Sequence, residues 1–143
     1  MTDAEQIRTL LQVRAAALHA RDASAAVATL ADEVVNYDLD PPLAHVGGPA
    51  RARASLDQWF ATWRTPIRNE PRDLQIAASG DLAFAFGLIH LAGTKIDGEE
   101  VDLWFRSTVC LRRVDGAWRI VHEHSSTPFY MDGGFKAAID LKP

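Results

Sequence analysis

A chain of 143 residues with a formal net charge of −4 is long enough to bury a core without help from disulfides or structural metals. Apolar residues make up 48% of it and charged residues 24%, the balance of a globular domain rather than of a disordered, fibrous or membrane-spanning chain. No basic stripe or Lys/Arg cluster interrupts the sequence, which speaks against a nucleic-acid partner and against an anionic membrane.

The first 20 residues carry Asp3 and Glu5 and no continuous apolar run, so they read as neither signal peptide nor membrane span. They read as a helix capped by Thr2 or Asp3. Ile7, Leu10, Leu11, Ala17 and Leu18 form its apolar face, with Arg14 in the middle of that face. Asp22 is placed to cap a second helix, roughly Ala23 to Leu30. A strand follows from Val34 to Leu39, stopped by Asp40-Pro41-Pro42. Gly47-Gly48-Pro49 opens a third helix, with Leu56, Trp59, Phe60 and Trp63 along one side. From Thr65-Pro66 onward the pattern is β. Strands are predicted over Arg72 to Ala78, Leu82 to Ala92, Val101 to Val114 and Trp118 to Ser126, with Ser79-Gly80-Asp81, Ile96-Asp97-Gly98 and Asp115-Gly116 as turns. The last three strands are expected to form an antiparallel meander.

Helices first and strands last make the class α+β. A single domain is expected over residues 1–143. Residues 127–143 carry Phe129, Tyr130, Phe135, Ile139 and Leu141, too apolar for a free tail, and are expected to pack on the domain or on a partner. Cys110 is the only cysteine, so no intramolecular disulfide can form. That suits a reducing compartment, and a cytoplasmic setting is the expectation.

The order of elements, closed by DGAWRIVHEHSSTP at residues 115–128, resembles the nuclear transport factor 2-like superfamily, and more narrowly its SnoaL-like, ketosteroid-isomerase-like proteins. The resemblance implies a cone-shaped, cystatin-like fold in which a curved antiparallel sheet closes around the N-terminal helices and leaves a pocket. In ketosteroid isomerase an aspartate base follows the first strand, at a place matching Asp38. The tyrosine of its oxyanion site matches Arg14, and its second aspartate falls near Thr108 to Cys110, where this chain has no acid. The base position is kept and the oxyanion site is not. The last strand is also similar to that of the association domain of the calmodulin-dependent kinase. The pocket arginines of that domain fall at Ile89, Val109 and Ser125 and are missing here.

Alternation along a strand puts Trp118, Ile120, His122 and His124 on one face and Val121, Glu123 and Ser125 on the other, unless a bulge intervenes. On the preceding strand Leu103, Phe105, Val109 and Leu111 are the more apolar set and suit the concave face. The kinase-domain resemblance puts Glu123 and Ser125 inside with Val109. The histidines then face outward, and an outer face carrying Trp104, Trp118 and Ile120 predicts a homodimer.

Asp38 is the candidate general base. Arg14 needs a carboxylate partner if buried, and Glu123 is favoured over Asp38 for that part. Glu123 is also a second candidate acid–base or orienting group. Trp59 and Trp63 on the third helix, with Ser107 and Ser125 on the last two strands, are the candidate ligand contacts. His122 and His124 have the spacing to share one metal but would require a third ligand, with His90 the candidate, and two histidines at this spacing are weak evidence, so no metal is expected, and no other cofactor. Ser125-Ser126 lies in no nucleophile elbow. The expected function is binding of a small organic molecule, with cofactor-free isomerisation, dehydration or epoxide hydrolysis as the candidate chemistry. The alternative is a non-catalytic ligand-binding or oligomerisation module.

Overall fold

Thr2 starts the first helix with both of its polar groups. Its hydroxyl accepts from the Glu5 backbone N–H at 3.1 Å, and the Glu5 carboxylate accepts from the Thr2 N–H at 2.7 Å. This reciprocal cap satisfies two donors that the first turn leaves without partners. In the computed structural model, which describes residues 1–143, helix α1 spans Asp3–Ala20. Asp22 then caps α2 (Ala23–Val27), accepting from the Ala25 N–H at 3.0 Å. The second helix stops short of the expected Leu30 because the sheet has already claimed the chain: the Ile120 N–H donates to the Thr29 carbonyl at 2.9 Å, and β1 runs over Leu30–Tyr37. Asp38 consequently lies just beyond the strand rather than in it.

Helix α3 covers Gly48–Phe60 with Pro49 in its first turn. It ends before Trp63, where the Thr62 N–H and hydroxyl both turn back to the Trp59 carbonyl. Four strands follow: β2 (Arg68–Ser79), β3 (Leu82–Thr94), β4 (Glu100–Val114) and β5 (Ala117–Ser126). β2 begins before the expected Arg72 and runs through Pro71. It can do so because it is an edge strand with β3 as its sole neighbour, so a missing N–H is tolerated. The sheet order is β1-β5-β4-β3-β2. β2 to β5 form an antiparallel meander, and β1 joins the far edge parallel to β5. Asp115 and Gly116 both take positive φ, 50° and 79°, in the tight β4–β5 turn that this dipeptide favours.

The expected facing of the last strand needs a correction. β5 opposes β4 with Ile120 across from Leu111 and His122 across from Cys110, so Val121 is the extra residue of a bulge. Before the bulge Trp118 and Ile120 point inward, 3% and 0% exposed, in a core cluster with Ile7, Val34, Val109 and Leu111. After it the inward set is Glu123 and Ser125, which line cavities, while His122 and His124 sit outside beside Tyr37. Trp118 and Ile120 therefore give no support to a sheet-face dimer. Trp104 does lie on the outer face, stacked on His90 with ring centroids 4.5 Å apart.

A second core cluster gathers Ala17, Leu18, Phe60, Trp63, Ile67 and Leu91. α1 contributes Ile7 to the first cluster and Leu18 to the second. Arg14 falls between the two. Of residues 127–143, Ala138 is buried at 2% exposure, while Phe129, Tyr130, Met131, Phe135, Ile139 and Leu141 remain exposed. The segment is tied by a Phe129–Ala137 bridge, by the Tyr130 hydroxyl on Asp140 at 2.5 Å and by Lys142 at 3.7 Å from Asp102. No helix is long and apolar enough to cross a membrane.

Candidate active site

Between the two core clusters lies a cavity of about 340 Å³. Arg14 and Leu18 of α1, Asn36 of β1, Trp59 of α3 and Glu123 and Ser125 of β5 line it, with Asp38, Asp40 and His45 from the loop after β1. A smaller cavity of about 80 Å³ continues behind it, lined by Leu11, Leu74, Ile89, Val109 and Ser107. Arg14, Leu18, Asn69, Phe105 and Glu123 border both.

Two of these shared residues form an ion pair. Arg14 Nη1 donates to Glu123 Oε2 in a short contact, with both side chains largely buried. The partner favoured on sequence grounds is the partner found. The pair forms because α1 lays its apolar face against the concave sheet, so Arg14 arrives largely withdrawn from bulk solvent and takes a carboxylate partner. Its Nε is buried and has no hydrogen-bond partner in the protein.

Asp38 sits opposite. Inward-facing residues of β1 are Val34 and Asn36, and Asp38 continues that alternation past the strand end. Its carboxyl titrates above the ordinary 3.8. Burial is the main cause, the Glu123 carboxylate adds to it, Asp40 adds less, and His45 and Arg51 oppose it. Retaining a proton more readily than a free aspartate is what a proton-transfer group requires. The shift also has a consequence for stability. The folded state holds this proton where the unfolded state has lost it, so stability falls as pH rises from the unfolded value through the folded one and stays lower above both. Asp38→Asn removes that penalty. At about pH 7 the variant should unfold at higher urea than the parent, and the gain should vanish as the pH falls toward 3.8. A variant less stable than the parent at neutral pH would refute this account.

The other expected site residues divide. Trp59 and Ser125 line the larger cavity and Ser107 the smaller, and Ser107 faces Ser125 across the β4–β5 ladder. Trp63 lines neither. It is 3% exposed in the core, with Lys95 Nζ 4.1 Å from its ring centroid, and it supports Trp59 edge-on at 5.5 Å. Trp63 thus stands one layer behind the cavity lining. Sequence reasoning missed Asn36, His45 and Arg51. Asn36 had a signal, since it precedes Asp38 by one alternation. His45 had none, because it follows two prolines in a loop whose course only the fold fixes.

The SnoaL-like domain model matches residues 7–130. Among solved structures, a nuclear transport factor 2-like protein of unknown function from Pseudomonas putida is 33% identical. The match covers 98% of this chain and 96% of that one, with a TM-score of 0.88. A ketosteroid isomerase-like protein from Erwinia carotovora atroseptica is 21% identical, covering 87% of this chain and 95% of that one, with a TM-score of 0.74. A hexachlorocyclohexane dehydrochlorinase from Novosphingobium barchaimii is 14% identical over 85% and 84% of the two chains, also at 0.74. Those last two likenesses are of fold alone. No protein of curated function matches the chain.

Proposed function

The chain belongs to the SnoaL-like domain family of the nuclear transport factor 2-like superfamily, and on that footing we propose that it binds a small organic molecule in the larger cavity and catalyses proton transfer on it without a cofactor. The observation that carries this reading is the convergence of Asp38, Arg14 and Glu123 on one cavity that Leu18, Leu30, Leu56, Trp59, Leu91 and Phe105 also line. Asp38 is the base. Arg14 is the electrostatic partner, and Glu123, held by Arg14, orients the ligand or relays a proton. Trp59 and Ser125 contact the ligand, and Ser107 meets whatever part of it reaches the rear chamber. Isomerisation and elimination both begin with such a proton abstraction. Relatives named as isomerase-like and as a dehydrochlorinase accord with that class. A non-catalytic module has less support, because the charged groups face the cavity instead of filling it.

The experiment follows two reactions by NMR in heavy water: hydrogen–deuterium exchange into small ketones, and loss of a proton and halide from small alkyl halides to give the alkene. The parent should accelerate one of the two, and Asp38→Asn should lose about 10²–10⁴-fold of that rate. Acceleration that survives Asp38→Asn would remove Asp38 from the role. A homodimer in a cytoplasmic setting belongs to the same proposal. Its support is an outer sheet face on which Phe84 and Phe86 stack at 6.2 Å while both remain nearly half exposed. Light scattering at micromolar concentration should give twice the chain mass, and a monomer there would defeat it.

A further inference from the structure

His45 belongs to no regular element, yet two backbone bonds hold it. Its N–H donates to the Asn36 carbonyl at 2.8 Å, and the Asn36 N–H donates to the His45 carbonyl at 3.0 Å. Residues that exchange both bonds across an antiparallel bridge point to the same side. The imidazole therefore enters the cavity beside Asn36, and its side chain is 10% exposed. From α3, Arg51 Nη1 reaches its Nδ1 at 3.1 Å, and the same nitrogen donates to Ser55 Oγ at 3.2 Å.

A guanidinium has donors and no acceptor, so Nδ1 accepts and the neutral ring carries its proton on Nε2. Nε2 stands 3.7 Å from Asp38 Oδ2, 3.7 Å from Asp40 Oδ1 and 3.5 Å from the Asp40 carbonyl. All three distances exceed those of a strong N–H···O bond. Ligand atoms of Asp38, Asp40 and His45 lie within 4.8 Å of one another, a spacing that a divalent cation could close. A cation at Nε2 needs the lone pair there, and that lone pair exists in a neutral ring only if Nδ1 carries the proton. Two donors would then face each other across the Arg51 contact.

We propose that Arg51 is a positioning residue that locks His45 as the Nε2–H tautomer, so that His45 and Asp38 together grip the hydroxyl oxygen of an organic ligand and the cluster is not a metal centre. An oxygen about 2.8 Å from both Nε2 and Oδ2 spans the gap. It accepts from the ring N–H and donates its own hydrogen to the Asp38 carboxylate. The ligand class rests on the reading of the cavity as a small-molecule site. The tautomer does not, because it is a property of the protein alone.

The test is long-range ¹H–¹⁵N NMR on protein labelled in histidine, at about pH 8, where an ordinary imidazole is neutral. His45 should appear as the Nε2–H form. Arg51→Met should raise the Nδ1–H fraction about tenfold or more, the weight of one hydrogen bond to a charged group. Arg51→Lys, which also only donates, should keep the parent tautomer, and Arg51→Gln, whose amide oxygen accepts, should raise the Nδ1–H fraction as well and covers the case in which the methionine variant does not fold. An Nδ1–H ring in the parent, or a tautomer indifferent to all changes at Arg51, overturns the lock. Equimolar Zn²⁺ should leave the His45 signals in place; their shift or loss would make the cluster a metal site. Cyclohexanol should move both the His45 Nε2 and Asp38 carboxyl signals, and methylcyclohexane neither. Equal response, or none, overturns the hydroxyl assignment and leaves the proton-transfer test of Asp38 to be judged on its own result.

Discussion

Arg14→Leu should destabilise the protein by roughly 3 kcal/mol, the lower end of the range for breaking a buried pair. The lower end is expected because Arg14 and Glu123 keep 17% and 13% side-chain exposure where they face the cavity. The loss comes less from the missing attraction than from what remains. Leucine fits the apolar face of α1 well, but Glu123 is left without its cation and across the cavity from Asp38. Adding Glu123→Gln should recover part of the loss, since the orphaned charge is gone. A double-mutant cycle by urea unfolding measures the coupling, and a value below about 0.5 kcal/mol would mean the pair contributes nothing specific. A parallel cycle of Arg14→Leu with Asp38→Asn should show weaker coupling, because Arg14 bonds Glu123 and not Asp38.

Ile120→Ala should cost about 2–4 kcal/mol, against less than about 0.5 kcal/mol for His124→Ala on the opposite face. Ile120 is fully buried between the sheet and the helices and leaves a cavity when truncated. On unbroken alternation the two residues would share one face and behave alike. Their divergence reports the bulge at Val121, and thermal unfolding of the two variants measures it. Similar costs for both would mean that β5 runs without a bulge and that Glu123 does not face the cavity where Ile120 faces the core.

The elements were legible because local chemistry fixes them. Thr2 and Asp22 carry the cap oxygens, Pro49 suits a first turn, and Asp115-Gly116 accepts the positive φ of a tight hairpin. The boundaries that moved did so for tertiary reasons. β1 began early because β5 took the Thr29 carbonyl, and β2 ran through Pro71 because that edge has no second neighbour.

The candidate site was half legible. A cation in the centre of an apolar helix face demands a carboxylate whatever the fold, so the need for Arg14 to find a partner was written in the sequence. Asp38 and Glu123 were the available partners, and the choice between them depended on facing. Facing is where local pattern fails, because a single bulge residue inverts every side chain beyond it. Val121 carries no mark of that part: valine in a strand is ordinary. The sequence by itself determined the α+β order, the meander and the presence of a buried charge. Only the tertiary structure decided that Trp118 and Ile120 lie inside with Glu123, that β1 lies parallel beside β5, and that a loop after two prolines brings His45 to Asp38. Those outcomes depend on contacts between residues far apart in the chain, and no window of neighbouring residues contains them.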